Sequence, residues 1–324
     1  MVLIAVKDFF NLKIKPWGLI LAVGTVAGIV TVAACLGAWW WVFEVASNYH
    51  LQCGVVLSVL AVVCFAGKKR LPGLLFLLLA AVNWIEIYPL YQAVPLVTMR
   101  QGAPKLRCVL LNVKGANIAS GLIPDYIRAT HADIVVLTDV DDAWERVIQS
   151  MSNDYPNSIT VSREDGYGVG LLSRLPTGSA QPLYAGEQLV PTVYAVVRCG
   201  DRQLVVLGTR FLPPAGSDDH LSRIDQMKSL TDGFSDPTYR VILLGDLNVT
   251  HWSPYFKEFT KVGRLVDSAK GFGVQPTWPV KGFPMQIPID HCLVSPSFKV
   301  LNRTLGPNIG SDHFPLIVDL QVGD

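Results

Sequence analysis

The stretch VILLGDLNVTHWSPYF, residues 241–256, decides the fold because a buried strand ends in it beside two polar side chains. Four apolar residues run into Gly245, and Asp246 and Asn248 follow with one leucine between them. Residues two apart in a strand share a face, so a strand continuing to residue 248 would project both side chains together. Gly, Asp and Asn are also ordinary turn formers, and the segment alone leaves a simple turn open. The rest of the chain distinguishes a turn from a site.

The 324 residues divide into an apolar amino-terminal part and a remainder of ordinary composition. Only 16% of the residues are charged, whereas soluble proteins have roughly 25%. Within residues 17–91, the charged side chains are Glu44, Lys68, Lys69, Arg70 and Glu86. We therefore predict a membrane module at 1–91, a linker at 92–105 and a single folded domain at 106–324.

Three apolar runs predict three transmembrane helices, at about 18–43, 51–67 and 71–90. Tryptophan and tyrosine residues near the ends of the first and third runs resemble interfacial belts. Lysines at 7, 13 and 15 precede the first run, and the sequence KKR at 68–70 separates the second from the third. The positive-inside rule then predicts a cytoplasmic amino terminus and a carboxy-terminal domain in the periplasm or extracellular space.

The predicted domain alternates short β-rich runs with helix-like stretches. The predicted strands lie at 106–111, 134–137, 169–172, 194–197, 204–207, 241–244, 289–294 and 316–320, and the helices at 119–131 and 221–234. Polar residues follow many of these strands, and carboxylate and amide oxygens that meet at one sheet edge suit Mg²⁺ or Mn²⁺ and phosphate chemistry. These residues are Asn112, Asp139, Arg210, Asp246, Asn248, Asp290, Asp312 and His313.

Segments of the domain resemble, in order and rough spacing, the endonuclease/exonuclease/phosphatase family. They are LRCVLLNV, ADIVVLTDVDDAW, YGVGLLSRLP, LVVLGTRFLPP, VILLGDLNVTHWSPYF, IDHCLVS and GSDHFPLIVDL, and they span residues 104–322. The resemblance implies the deoxyribonuclease I-like fold, an α+β four-layer α/β/β/α sandwich. It is strongest to bacterial membrane-anchored members with three amino-terminal spans, which implies an integral protein of the bacterial inner membrane.

The resemblance also implies roles for the polar residues. Asn112, Asp139 and Asp312 would hold the divalent metal, Mg²⁺ or Mn²⁺. Asp246 would orient or deprotonate the attacking water, and Asn248 would fix the phosphate or Asp246. These roles suit in-line attack at phosphorus, which needs a positioned water and neutralisation of the developing charge.

The resemblance implies that one further residue contacts the phosphate and that another orients this residue. At two positions this chain has a different residue type from the one usual in the family. His313 would contact the scissile phosphate, with Asp290 setting its tautomer. The family usually has Glu where this chain has Asp139, and the shorter side chain draws the carboxylate back. Arg210 occupies the place of a histidine; arginine cannot act as a general acid near neutral pH, but it can bind phosphate through two donors. Some members lack that histidine and still cleave, so we expect a working hydrolase.

Substrate class stays open at this stage. The domain carries a slight excess of acidic over basic side chains, which does not favour nucleic acid. A short tether to the bilayer favours a lipid or small phosphoester. The alternatives are an extracytoplasmic nuclease and a catalytically degenerate protein that binds a ligand or partner.

The remaining histidines and cysteines have simpler expectations. His251 is predicted to be a surface-loop residue, and His131 and His220 to be solvated. Cys108, Cys199 and Cys292 lie in strand-like runs and are expected to be buried apolar residues, with at most one disulfide among them.

Overall fold

The computed structural model describes residues 16–92, 99–186, 188–234 and 238–323. It begins with the helices α1 (Pro16–Cys35), α2 (Trp41–Ser47), α3 (His50–Ala66) and α4 (Arg70–Ile87), and a 3₁₀ turn, Tyr88–Tyr91, extends α4. The lysines at 7, 13 and 15 and linker residues 93–98 lie outside the described residues.

The first apolar run differs from the predicted span of 18–43. Helix α1 ends at Cys35, and the chain turns back before α2 begins at Trp41. Gly37 permits the close turn, because a Cβ there would lie 3.1 Å from the carbonyl oxygen of Ala34 and 3.3 Å from Cα of Glu44. Among the described residues, two helices, Pro16–Cys35 and Arg70–Tyr91, are long and apolar enough to cross a membrane. Helices α2 and α3 would add a third span only if this pair, bent by 64°, forms one span.

Twelve strands follow in the described part of the chain. They are β1 (Lys105–Asn112), β2 (Ile134–Thr138), β3 (Asn157–Val161), β4 (Val169–Ser173), β5 (Thr177–Ala185), β6 (Val190–Cys199), β7 (Arg202–Arg210), β8 (Val241–Asp246), β9 (Val266–Asp267), β10 (Asp290–Val294), β11 (Phe298–Leu305) and β12 (Leu316–Val322). One six-stranded sheet has the order β11-β12-β1-β2-β4-β3, and the other has the order β5-β6-β7-β8-β10-β9.

The two sheets pack face to face between outer helices. Alternate residues of the central strands, such as Leu110, Val136, Val206 and Leu244, form the apolar core between the sheets. The outer face of the first sheet packs on α5 (Leu122–Thr130) and α6 (Asp142–Ser150), and that of the second on α7 (Ser217–Phe234) and α8 (Pro254–Val262). The architecture is therefore a mixed α+β, two-sheet α/β/β/α sandwich, as the sequence predicts.

Strand pairing brings several polar strand ends to one edge of the sandwich. The parallel pair β1/β2 aligns Asn112 with Thr138, and the parallel pair β7/β8 aligns Arg210 with Asp246. Strand β10 runs antiparallel to β8, so its first residue, Asp290, pairs with the last residue of β8, Asp246.

Predictions for the isolated histidines and cysteines have mixed outcomes. The three domain cysteines are buried and free, and His131 is exposed, as expected. The predictions for His220 and His251 are wrong, because both side chains are buried. His220 lies between α7 and the Glu44 carboxylate of α2, and His251 pairs with Asp267 of β9. Packing on partners distant in sequence removes both rings from solvent.

Candidate active site

Three oxygen-bearing side chains meet at the ends of β1, β2 and β8. The amide nitrogen of Asn112 donates to Oδ2 of Asp139 at 2.7 Å and to Oδ2 of Asp246 at 3.0 Å. The amide oxygen of Asn112 accepts from the backbone N–H of Lys114 at 2.9 Å, which fixes the nitrogen toward the carboxylates. For Asn112 to ligate a metal, as predicted, the amide would have to reverse and lose the bond to Lys114.

Arg210 lies between two of these carboxylates. Its guanidinium forms an ion pair with Asp139, and its Nε is 3.5 Å from Oδ2 of Asp246. The same guanidinium donates to the carbonyl oxygen of Gly166 and stacks over the ring of Tyr167 at 5.5 Å. The arginine therefore supplies a fixed positive charge inside the carboxylate cluster.

His313 faces the cluster from the loop before β12. Its Nδ1 is hydrogen-bonded to Oδ2 of Asp290 at 2.7 Å, and its Nε2 lies 4.0 Å from Oδ2 of Asp246 and 3.9 Å from Oδ1 of Asp312. A carboxylate can only accept, so Nδ1 carries the proton and Nε2 faces the other carboxylates. Asp312 receives a hydrogen bond from Nε1 of Trp278 at 3.2 Å.

Asn248 does not share a strand face with Asp246, contrary to the prediction. Strand β8 ends at Asp246, and Asn248 lies beyond it with a φ of 49°. Its backbone N–H donates to Oδ1 of Asp246 at 3.1 Å, and its side-chain amide donates to the carbonyl oxygen of Phe211 at 2.7 Å. The segment is thus a tight turn that also holds the Asp246 carboxylate.

Burial and neighbouring charges shift the ionisation of the cluster. Burial, together with the negative charge of Asp290, raises the pKa of Asp246 to about 6. Burial opposes protonation of His313, but the charge of Asp290 and its hydrogen bond raise the His313 pKa to about 9. Burial likewise opposes ionisation of Asp290, yet His313 lowers the Asp290 pKa below its ordinary value. Burial raises the pKa of Asp139 despite Arg210.

The donor set fits a divalent cation. Oδ1 of Asp290 and Oδ1 of Asp312 are buried and have no hydrogen-bond partner among the described residues. One ligand atom from each of Asp246, Asp290 and His313 lies within 4.8 Å of the other two. The unpaired carboxylate oxygens of Asp290 and Asp312 are hard donors of the kind that suit Mg²⁺ or Mn²⁺. Of the predicted metal set, the structure brings Asn112 and Asp139 into contact, whereas Asp312 contacts Trp278 and lies near His313.

The sequence did not predict the buried residues of α7 that support the backbone of the site. Arg223 of α7 donates to the carbonyl oxygen of Asn248 at 2.8 Å, and Gln226 donates to the carbonyl oxygen of Arg210 at 2.8 Å. Both side chains are buried. Arg223 also pairs with Glu44 of α2, whose other oxygen accepts from Oγ of Ser253 at 2.6 Å. A polar helix with no site motif gives no sequence signal for such contacts.

The chain matches the family model described as Endonuclease/Exonuclease/phosphatase family over residues 109–313. It therefore belongs to the endonuclease/exonuclease/phosphatase family, whose members are generally hydrolases of phosphoesters. No curated protein sequence matches the chain.

Several solved structures share the fold. An endonuclease/exonuclease/phosphatase from Beutenbergia cavernae DSM 12333 is 20% identical with a TM-score of 0.57, covering 68% of this chain and 72% of that chain. The human Nocturnin catalytic domain with bound sulfate anion is 18% identical with a TM-score of 0.56, covering 68% of this chain and 95% of that chain. D. rerio TDP2 complexed with single strand DNA product is 17% identical, with a TM-score of 0.55 and coverage of 67% and 99%. At these identities the likeness establishes the deoxyribonuclease I-like fold.

Proposed function

We propose that the chain is a membrane-anchored, outward-facing phosphoester hydrolase that depends on a divalent metal and acts on a lipid or lipid-linked phosphoester. The observation that carries the proposal is a buried cluster at one edge of the deoxyribonuclease I-like sandwich. It consists of Asn112, Asp139, Arg210, Asp246 and His313. Such a cluster combines a carboxylate base, cationic donors and cation ligands, which phosphoryl transfer requires.

Each side chain has a role that follows from its environment. Asp246, with its pKa near neutrality and its carboxylate held by the backbone N–H of Asn248, orients the attacking water and accepts its proton. His313, kept protonated by Asp290, donates from Nε2 to a phosphoryl oxygen. Arg210 stabilises negative charge that develops on the phosphate oxygens.

The metal ligands we propose are Asp139 and Asp312, with Asn112 in the reversed amide orientation. Mg²⁺ or Mn²⁺ bound there would neutralise charge on the phosphoryl oxygens. Arg210 already neutralises part of the carboxylate charge, so the metal competes with its ion pair to Asp139. We therefore expect weaker metal binding than a site without the arginine would have.

The helices support the proposed orientation. Trp17, near the start of α1, lies against Gly67, and Nζ of Lys69 is 6.0 Å from the centroid of the Trp17 ring, so the basic KKR loop and the start of α1 share one end of the module. The domain contacts the opposite end, where Gly271 and Gly273 donate backbone hydrogen bonds to the carbonyl oxygen of Leu90 at 2.8 and 3.0 Å. By the positive-inside rule, the basic end is cytoplasmic and the domain lies outside.

An apolar loop beside the site supports a lipid substrate. The segment 279–286 follows Trp278, which contacts Asp312, and its tip exposes 88% of Phe283 and 51% of Met285. Gln52 of α3 donates to the carbonyl oxygens of Pro284 at 3.1 Å and Gln286 at 2.8 Å, so the membrane module holds this loop directly. Exposed apolar side chains next to membrane helices fit the interface of a bilayer.

The test uses the full chain, purified in detergent and reconstituted into phospholipid vesicles. Release of phosphate or headgroup from the lipid is measured in the presence of Mg²⁺, Mn²⁺ or chelator. A soluble generic phosphodiester and single-stranded DNA are assayed in parallel as alternative substrates. We expect turnover that depends on the metal and that Asp246→Asn abolishes. The control variant is Asp232→Asn, which replaces an exposed carboxylate on α7 and should leave turnover intact. Turnover of DNA alone would instead support the extracytoplasmic nuclease.

No turnover of any phosphoester by the folded wild-type protein would refute the hydrolase. The protein would then be a binding member of the family, and the departures at Asp139 and Arg210 would be losses of catalytic residues. Arg210→His is the matched variant for that case, because hydrolysis that arises only in the variant identifies the natural residue as the cause.

A further inference from the structure

A second cluster of metal-binding side chains lies on the other face of the active-site strand. His291 follows Asp290 in β10, but its ring packs at 4.6 Å on Phe256 of α8, away from His313. His251 lies in the turn after β8, and Asp267 lies in β9 next to β10. All three side chains are buried, and one ligand atom from each lies within 4.8 Å of the other two.

The imidazole of His291 has the hydrogen-bonding state of a metal ligand. Its Nε2 is 2.7 Å from the carbonyl oxygen of Val249. Because a carbonyl only accepts, Nε2 carries the proton and Nδ1 presents a lone pair. Metal-binding histidines generally donate their other N–H to a carbonyl or carboxylate in this way. Nδ1 of His291 is buried and has no hydrogen-bond partner among the described residues, a state that is costly unless a ligand fills it.

His251 and Asp267 supply the other two candidate ligands. Nδ1 of His251 pairs with Oδ2 of Asp267, and Nε2 of His251 is buried without a partner in the described part of the chain. Oδ1 of Asp267 accepts from the backbone N–H of Ala269 at 2.9 Å, which fixes the carboxylate. The buried guanidinium of Arg303 donates to Ser268 and Gln275, with no hydrogen bond to Asp267 among the described residues.

The cluster borders a cavity at the junction between the domain and α4. A cavity of about 510 Å³ is lined by His251 and Asp267 and, on the helix side, by Ile85, Pro89 and Leu90. Lys257, Lys261 and Lys270 also line the cavity; Lys257 pairs with Glu86 at 2.6 Å, and Nζ of Lys261 lies 3.9 Å from Glu258. The cavity leaves room for a water molecule as a further ligand.

We propose that His251, Asp267 and His291 bind a divalent transition-metal ion, Zn²⁺ by ligand type, at a site separate from the active site. Two imidazoles and one carboxylate suit Zn²⁺, whereas the oxygen-rich active site suits Mg²⁺. An ion bound by all three side chains takes the place of the proton between Nδ1 of His251 and Oδ2 of Asp267, so these two atoms must separate to allow bonds of about 2.0–2.2 Å to zinc. The bound ion ties the turn after β8 to β9 and β10, and so holds Trp252 against Ile87 and Leu90 of the membrane module.

The experiment measures metal binding by the full chain in detergent, so it does not depend on hydrolase activity. The protein is stripped with chelator and kept in excess Mg²⁺, which occupies the active site. Co²⁺ is then added as a spectroscopic probe, and retained Zn²⁺ is measured by elemental analysis after gel filtration. We expect the visible bands of four-coordinate Co²⁺ and about one retained Zn²⁺ per chain.

Variants assign the ion to the cluster. His291→Gln and His251→Gln should weaken Zn²⁺ binding by more than about 100-fold, since losing a residue that only orients a ligand already costs about 10–100-fold. The exposed His131→Gln and the active-site Asp246→Asn should retain the ion. Absence of the Co²⁺ bands from the wild-type protein overturns the proposal whether or not the variants fold. Retention of the bands in His291→Gln, or their loss in Asp246→Asn, overturns it as well.

Discussion

The ion pair between Glu44 of α2 and Arg223 of α7 predicts that the amino-terminal helices stabilise the turn at residues 246–248. Glu44 is 3% exposed and Arg223 is fully buried. Arg223 holds the backbone of Asn248, while Glu44 also accepts from Ser253 and lies 3.3 Å from Nδ1 of His220. Removing one partner of a buried pair leaves the other charge uncompensated.

The expected magnitude for Glu44→Ala is a loss of about 3–5 kcal/mol in the free energy of unfolding. In a domain of this size each kcal/mol lowers the melting temperature by about 2–4 °C, so we expect a decrease of about 6–20 °C. Thermal unfolding of the full chain in one detergent, followed by tryptophan fluorescence, measures the change. The same variant should lower turnover, because Asn248 loses the support of Arg223.

A matched control is available in the same interface. Glu86 pairs with Lys257, but these side chains are 35% and 51% exposed, and exposed pairs contribute about 0–1 kcal/mol. Glu86→Ala should therefore change the melting temperature by a few degrees at most. Equal effects of the two substitutions, or no effect of Glu44→Ala, would refute the assignment of a stabilising role to the Glu44–Arg223 pair.

Four further predictions concern the site itself. Arg210→Met should lower kcat on a phosphodiester by about 10²–10³-fold, as loss of one transition-state donor typically does, and an unchanged kcat would remove Arg210 from the chemistry. Activity should rise with pH through about pH 6, where Asp246 loses its proton, and fall through about pH 9, where His313 loses its proton. The variant His313→Gln should therefore lack the fall in kcat at alkaline pH. Chelator should stop turnover and added Mg²⁺ or Mn²⁺ should restore it; persistent activity in chelator would contradict metal dependence. Asp139→Asn should raise the Mg²⁺ concentration needed for half-maximal rate, measured against Asp232→Asn.

Strand ends were the predictable part of the site. An apolar run followed by a polar residue marks where a strand leaves the core, and parallel pairing of β1 with β2 and of β7 with β8 brings Asn112, Arg210 and Asp246 to one edge. The alternation of strands and helices followed from the same pattern, and the two-sheet sandwich followed from the family resemblance. Local sequence therefore predicts which polar residues meet at this edge.

Contacts between distant segments were not predictable from local pattern. Helix α7 has the polar composition of a solvated helix, yet Arg223 is buried because Glu44 of an apolar segment meets it. The edge strands β3, β5, β9 and β11 were missed, and β5, with the sequence TGSAQPLYA, shows why, since most of its residues are exposed and lack apolar alternation. The turn at Gly37 was hidden because a turn between two apolar helices leaves composition unchanged.

The bond between Gln52 and the loop 279–286 has a kinetic consequence for a substrate that resides in the same bilayer. The proposed function places α3 in the membrane, and Gln52 of α3 holds the loop beside Trp278 and Asp312, so we expect enzyme and substrate to meet by lateral diffusion in two dimensions. The rate then follows the mole fraction of substrate in the surface and is insensitive to its bulk concentration. Diluting the substrate with an inert lipid at constant bulk concentration should therefore slow the reaction, a surface-dilution effect that no water-soluble phosphodiester would show.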